Sequence, residues 1–245
     1  MKQADLARQL PGWRVDYFKQ INSTQDYAKQ LVTEQKITQP LLVVADQQTA
    51  GHGRYGRQFY SPAKTGIYLS MVVPAVTCPP GLFTISLAVT IGHMLDRVLG
   101  GKAQIQFKWV NDIYLNRKKV SGILVEKLAG MLVCGIGINV TTTDFPHDLQ
   151  AKAGALTRDS SLSRLQLILA LVKAVQADLH LYSSGKFLDE YRQRLLGHNC
   201  VATLKVNRGL VTGRMKGITN TGKLILQTAN GSLVVNSGEV IKVNL

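Results

Sequence analysis

Acidic residues are scarce in this 245-residue chain: 15 Asp and Glu stand against 29 Lys and Arg, a formal net charge of +14. Such a balance attracts anions without saying which ones, whether nucleic acid, nucleotide phosphates or an acidic protein. The excess is spread along the chain, and its densest cluster is Arg117-Lys118-Lys119. Cysteine is scarce too. Cys78, Cys134 and Cys200 are odd in number and far apart, which fits neither a disulfide framework nor a paired-cysteine metal site. No apolar run approaches 18 residues; the most apolar segments, 131–140 and 165–175, are too short to cross a bilayer. The first residues carry no apolar core of a signal peptide, so a soluble, cytoplasmic chain with no membrane partner is expected. Glycine (22) and proline (7) show no period, which excludes collagen. A hydrophobic share of 45% and a mean hydropathy of +0.04 exclude disorder.

The apolar pattern predicts a helix within 21–36 capped by Ser23 or Thr24, a buried strand at 41–46, a second strand at 67–73 and a helix over 82–100 stopped by a glycine pair. Residues 104–140 read as strands joined by tight turns. Helices follow over 163–185, capped by Ser163, and over 186–196, ending at Gly197. After Gly197 turn signals recur every few residues among Val, Leu and Thr, predicting a small all-β module of four or five strands. Antiparallel turns outnumber parallel crossovers, so the first domain is expected to be α+β.

Two segments bear chemistry. Gly51, Gly53 and Gly56 spell a dinucleotide-binding glycine pattern after a strand, but Pro62 and Gly66 prevent the helix that motif needs. What remains, 47–66, is a long loop expected to lack its own secondary structure and to be mobile, a kind of segment often functional. Its glycines let backbone N–H groups approach a ligand, and Arg54 and Arg57 offer planar forks for phosphate oxygens. The second segment, 108–115, is read as a strand opened by Lys108; a buried lysine is costly without an anionic partner, so Lys108 is a candidate for facing one. Asn111-Asp112 could equally be only a turn. Glycines in 122–126 and 135–139 mark core strands that something approaches closely.

Together these segments resemble the biotin–protein ligases: Asn-Ser-Thr-Gln at 22–25, the loop 45–57, Lys-Trp-Val-Asn-Asp at 108–112, 119–126, 135–140 and Ser-Gly-Glu-Val at 237–240, in order across nearly the whole chain. The resemblance implies an α+β, class II synthetase-like catalytic domain over 1–196, a central mixed sheet flanked by helices, and a small Src-homology-three-like β barrel over 197–245. It implies adenylation of biotin by ATP with Mg²⁺, then transfer to a lysine of a biotin carboxyl carrier domain, of acetyl-CoA carboxylase or pyruvate carboxylase. It makes Lys108 and Arg54 catalytic. Biotin would be held by Ser23, Thr24, Gln25, Gln48, His52, Gly53, Arg54 and Lys108, and ATP by Gly51, Arg54, Gly56, Arg57, Lys108, Asn111 and Asn139. Trp109 and the 122–126 strand would wall the apolar parts and the loop 47–66 would act as a lid, while no metal ligands are singled out. Family members often dimerise, so a homodimer is one expected assembly.

The chain departs from the pattern at His52, where the loop commonly has an arginine, at Val110, where proline is usual and an extended strand is still expected, and at Gln58-Phe59, in place of a basic residue and tryptophan. Ser23 and Thr24 lie so near the start that no DNA-binding domain is expected. Two alternatives stay open: a lipoate or octanoate ligase, and a non-catalytic basic nucleic-acid-binding module. The last 48 residues hold Lys205, Arg208, Arg214, Lys216, Lys223 and Lys242 against the single acid Glu239, but no aromatic residue on which bases could stack.

Overall fold

The computed structural model describes residues 2–75, 79–101, 103–159, 161–206 and 209–244, so Cys78 and Arg208 lie outside the described residues. Helix α1 (Gln3–Gln9) leads to β1 (Arg14–Phe18), α2 (Thr24–Thr33), β2 (Leu41–Ala45), β3 (Gly66–Pro74) and α3 (Pro80–Val98). Then come β4 (Ile105–Lys108), β5 (Asp112–Leu115), β6 (Lys118–Leu128), β7 (Met131–Asn139), the single turn α4 (His147–Gln150), α5 (Arg164–Leu181) and α6 (Phe187–Gln193). The chain closes with β8 (Val201–Val206), β9 (Gly209–Ile218), β10 (Leu224–Thr228), β11 (Gly231–Val235) and β12 (Glu239–Val243).

The first sheet has seven strands in the order β1-β2-β3-β7-β6-β5-β4, and only β1 and β2 run parallel. Strands β2 and β3 read as continuous apolar runs because both faces are covered. The two-residue period divides them. Leu41, Val43, Val72 and Val133 pack under α2, whereas Leu42, Val44, Met71 and Cys134 face the main core with α3 and α5. The second sheet, β11-β10-β9-β8-β12, is antiparallel throughout and forms the small Src-homology-three-like unit. Its inward residues Leu204, Met215, Leu224 and Leu226 are continuous with the main core, so the small sheet does not stand on a core of its own. The α+β expectation with a mixed sheet holds.

Several local expectations are corrected. The Lys-Trp-Val-Asn-Asp segment is not one strand: β4 ends at Lys108, the chain turns at 109–111, and β5 begins at Asp112 paired back onto Lys108. Side-chain bonds hold that turn, since Trp109 Nε1 donates to the Gly222 carbonyl (2.9 Å) and Asn111 Nδ2 to that of Ile123 (3.0 Å). These tertiary partners outweigh the extended preference of Val110. The 47–66 loop is not structureless either. Gly53 N–H bonds Arg57 O (2.8 Å), Phe59 N–H bonds Gly51 O (2.8 Å), and His52 pairs with Gln58 in a small hairpin. Its tip turns because Tyr55 and Gly56 both adopt positive φ, 59° and 69°. Helix α6 ends at Gln193 rather than at Gly197, because Leu195 leaves helical geometry to bridge Phe107 on the edge of β4. No helix of the described residues is long and apolar enough to cross a membrane.

Candidate active site

The site begins as a trough without side chains. Register across the first sheet sets Tyr68 beside Gly137, Gly137 beside Gly122, Gly122 beside Asp112, and Asp112 beside Lys108, all on one face. One step along, Ser70 pairs with Gly135 and Gly135 with Leu124. Ser70 and Gly135 share the parity of Val72 and Val133, so the trough lies on the α2 face. Each glycine is there for clearance. A Cβ on Gly135 would stand 2.7 Å from Gln25 Oε1, one on Gly137 2.6 Å from the Phe59 ring, and one on Gly122 3.3 Å from Lys119 Nζ. Gln25, Phe59 and Lys119 thus cover the three steps in turn.

At the α2 end the lining is neutral and hydrogen-bonded. Ser23 caps α2 by accepting from Asp26 N–H (3.2 Å), which leaves its own hydroxyl proton free to donate. Gln25 is fully engaged: its amide nitrogen donates to Glu126 (2.8 Å) and to Val133 O (3.2 Å), and its oxygen accepts from Ser70 (3.0 Å). Thr24 lies 3.0 Å from Ser70, its N–H bonds Gln48 Oε1 (2.9 Å), and Gln48 Nε2 donates to Ser61 (3.0 Å). Ser23, Thr24, Gln25 and Ser70 are all nearly solvent-free. This chain fixes each amide and hydroxyl before anything binds.

The other end is cationic. Lys108 Nζ lies 5.9 Å from the Tyr114 ring centroid and has no hydrogen bond or ion pair among the described residues. Burial, aided by neighbouring Lys119, pushes its pKa below the usual lysine value against the pull of Asp112. Lys119 pairs with Asp112 at 2.6 Å. From the glycine hairpin, Arg54 lies over the Tyr55 ring (4.9 Å to the centroid) and reaches the Gly238 carbonyl at 3.4 Å, while Arg57 pairs with Glu239 at 2.5 Å. The hairpin therefore meets the edge of the second sheet. His52 Nε2 lies 3.0 Å from both carboxylate oxygens of Asp26, tying the hairpin to the first turn of α2. Lys119 stands on β6, two strand spacings or roughly 10 Å from Ser70 on β3, and Lys108 on β4 lies two strands further along the sheet.

These groups line one cavity of about 130 Å³. Of the expected site residues, the structure brings Ser23, Thr24, Gln25, Gln48, His52, Gly53, Arg54, Arg57, Lys108 and Asn111 into its wall, with Trp109, Ile123 and Leu124 as apolar sides. Gly51, Gly56 and Asn139 stand outside it. Gly51 is needed where Gln48 Nε2 and Ser61 crowd its Cβ position, and Gly56 at the positive φ of the hairpin tip. Asn139 donates to Gly154 O (3.0 Å) and keeps a buried oxygen with no partner among the described residues. Sequence reasoning missed Ser70, Asp112, Lys119 and Glu239 as wall residues. Lys119 was hidden in a basic cluster, and only strand pairing shows it beside Gly122.

Residues 17–142 match the Biotin/lipoate A/B protein ligase family, and residues 195–243 match the Biotin protein ligase C terminal domain. The chain is 32% identical to the Bifunctional ligase/repressor BirA of Bacillus spizizenii, over 96% of this chain and 76% of that protein. It is 27% identical to the Biotin--[acetyl-CoA-carboxylase] ligase of Mycobacterium tuberculosis, over 94% of this chain and 90% of the relative. Among solved structures, the biotin protein ligase from Aquifex aeolicus in complex with biotin and ATP superposes with a TM-score of 0.80 at 26% identity, covering 92% of this chain and 97% of that one. A glycine-floored trough with a neutral and a cationic end, on a mixed sheet joined to a small barrel, is the site of an acyl-activating ligase. The chain belongs to the biotin protein ligase family.

Proposed function

We propose that this ligase joins biotin to a lysine of a biotin carboxyl carrier domain in two steps. In the first, a biotin carboxylate oxygen attacks the α-phosphorus of ATP; biotinyl-5′-AMP forms and pyrophosphate leaves. In the second, the carrier's lysine amine attacks the acyl carbon; an amide forms, AMP leaves and the amine gives up a proton. The observation that carries the reading is the polarity of the trough, with hydrogen-bonding groups at α2 and Arg54, Arg57, Lys108 and Lys119 gathered at the other end.

A ureido ring needs one donor for its carbonyl and acceptors for two N–H groups. Ser23 supplies the donor, and the oxygens of Thr24, Ser70 and Gln48 are the acceptors within reach of the same end. The cations draw the carboxylate and the triphosphate together against their mutual repulsion, and Lys108, which has no ion-pair partner among the described residues, is the group such anions would pair. The buried Asn139 oxygen is an acceptor suited to the adenine amino group. The hairpin 51–59, tied at Asp26 and Glu239, covers the mixed anhydride from water.

No cluster of three metal-ligating side chains exists among the described residues. Asp112 and Glu239, the acids of the wall, are each bound to a cation. This donor set fits a Mg²⁺ that arrives on the triphosphate, with Asp112 and Glu239 the wall carboxylates that would face it. When bound, that ion would neutralise charge on the phosphate oxygens. We assign residues 1–196 to catalysis and 197–245 to the small barrel. The carrier we favour is that of acetyl-CoA carboxylase, and we place the reaction in the cytoplasm. Incubation with labelled biotin, MgATP and an isolated carrier domain tests the whole reading: the label should become acid-stable on one carrier lysine. A carrier that stays unlabelled would refute it.

A further inference from the structure

The glycine loop leaves the sheet after Asp46 and rejoins it at Gly66, and one distant side chain touches both points. Arg164, the first residue of α5, donates Nη1 to Asp46 Oδ1 at 2.7 Å and Nε to the Gly66 carbonyl at 2.8 Å. Its side chain is mostly buried, and Nη2 is buried without a partner among the described residues. A cation is disfavoured at a helix N-terminus, so α5 does not by itself call for an arginine there. Asp46 is in turn fixed from several sides. Its second carboxylate oxygen accepts from the Tyr17 hydroxyl, its N–H bonds Phe18 O (2.9 Å), and its carbonyl accepts from Lys64 N–H at 3.0 Å. Gly66 is held by its pairing with Asn139 on β7, and it admits no side chain, since a Cβ there would meet Tyr68 Oη at 2.5 Å and the Ile138 carbonyl at 2.7 Å.

We propose that Arg164 is a positioning residue: by bridging Asp46 and Gly66 it fixes the two pivots of the 47–65 loop and so aims His52, Gly53, Arg54 and Arg57 at the trough. A planar guanidinium suits this task because Nη1 and Nε point in set directions and hold two acceptors at a set separation. Between the pivots the loop is tied down at further points, Gln48 to Ile21 and Thr24, Thr49 to Asn22, His52 to Asp26, Arg54 to Gly238, Arg57 to Glu239 and Thr65 to Thr142, so Arg164 sets the angle at which its two ends leave the sheet. Looser pivots would leave Ser23, Thr24, Gln25 and Ser70 in place, because they stand at the cap of α2, on α2 and on β3, and of the neutral end would reach only Gln48, which Thr24 and Ser61 also hold. The cationic cover from the hairpin would lose its aim. Biotin affinity and retention of the adenylate should therefore separate.

The test uses the full chain with Arg164→Gln and Arg164→Lys. Limited trypsin digestion without ligands reads the loop through cleavage after Arg54, Arg57 and Lys64, with Lys223 in the β9–β10 turn as the control. Loss of one charge-assisted bond predicts loop cleavage about tenfold faster in Arg164→Gln, unchanged cleavage at Lys223, and an intermediate rate in Arg164→Lys. The catalytic arm rests on the ligase reading. Biotin affinity should stay within about threefold, while escape of biotinyl-AMP rises about tenfold. Unchanged loop cleavage in Arg164→Gln would overturn the proposal. So would faster cleavage everywhere in both variants, which would make Arg164 a determinant of folding rather than of the loop. If wild-type chain forms no adenylate, the ligase reading fails, and the digestion pattern still decides the role of Arg164.

Discussion

Gly135→Ala adds one methyl group where the trough floor meets the hydrogen-bonded Gln25. The new Cβ would lie 2.7 Å from Gln25 Oε1 and 3.2 Å from Gln25 Cδ. Gln25 cannot swing away freely, because it is 4% exposed and bonded to Glu126, Val133 and Ser70. Displacing its oxygen first breaks the Ser70 bond, a net loss of about 1 kcal/mol. Overpacking adds about 1–3 kcal/mol. The alanine recovers about 0.4–1 kcal/mol through reduced freedom of the unfolded chain. The balance is a loss of roughly 2 kcal/mol, or about 4–8 °C in Tm for a chain of this size. Biotin should bind at least about tenfold more weakly, because the methyl intrudes on the floor and the Thr24–Ser70–Gln25 chain loses its alignment. Differential scanning calorimetry and titration calorimetry read both quantities. Gly81→Ala, on α3 with nothing within 4 Å of its Cβ position, is the control and should not destabilise. A Gly135→Ala protein with unchanged Tm and biotin affinity would refute the claim that Gln25 is locked.

Lys108→Ala should slow adenylate formation by about 10²–10³, equivalent to roughly 3–4 kcal/mol, with the fold intact by circular dichroism; near-wild-type pyrophosphate release would remove Lys108 from the chemistry. Burial lowers the Lys108 pKa, and an anion beside it restores the charged form, so binding of biotin and ATP should take up a proton, increasingly as pH rises through the lowered Lys108 value. Titrations in buffers of different ionisation enthalpy would show the uptake, and Lys108→Ala should abolish it. Burial against α3 raises the Asp178 pKa although Ser86 donates to it (2.7 Å), so keeping this carboxylate charged costs stability above that raised pKa. Asp178→Asn should therefore raise Tm by about 2–4 °C at neutral pH, with the gain fading as pH falls and wild-type Asp178 takes up its proton; a gain independent of pH would contradict this.

Much of the fold was legible because burial leaves periods in the sequence. The helices α3 and α5 and the strands β2 and β3 stand where 3.6-residue spacing and apolar runs place them, and Ser23 and Ser163 cap as their residue types predict. Strand β1 escaped notice because Arg14 and Asp16 pair with each other along its edge, diluting the apolar signal. The turn after Lys108 was misread because its determinants, Gly222 and Ile123, are distant in sequence. The same limit hid the trough. Glycines at 122, 135 and 137 were legible as points of close approach, but register alone lines them up, and register is a property of paired strands. Lys119 looked like part of a solvated cluster until pairing set it over Gly122 beside Asp112.

The most direct test of the central claim is biotin-dependent exchange of labelled pyrophosphate into ATP by the purified chain, with lipoate as the control acid. Reversible adenylation at this trough predicts exchange with biotin and magnesium present, none with lipoate, and its loss in Lys108→Ala. Absence of exchange with biotin in a folded, magnesium-containing sample, or equal exchange with both acids, would contradict it.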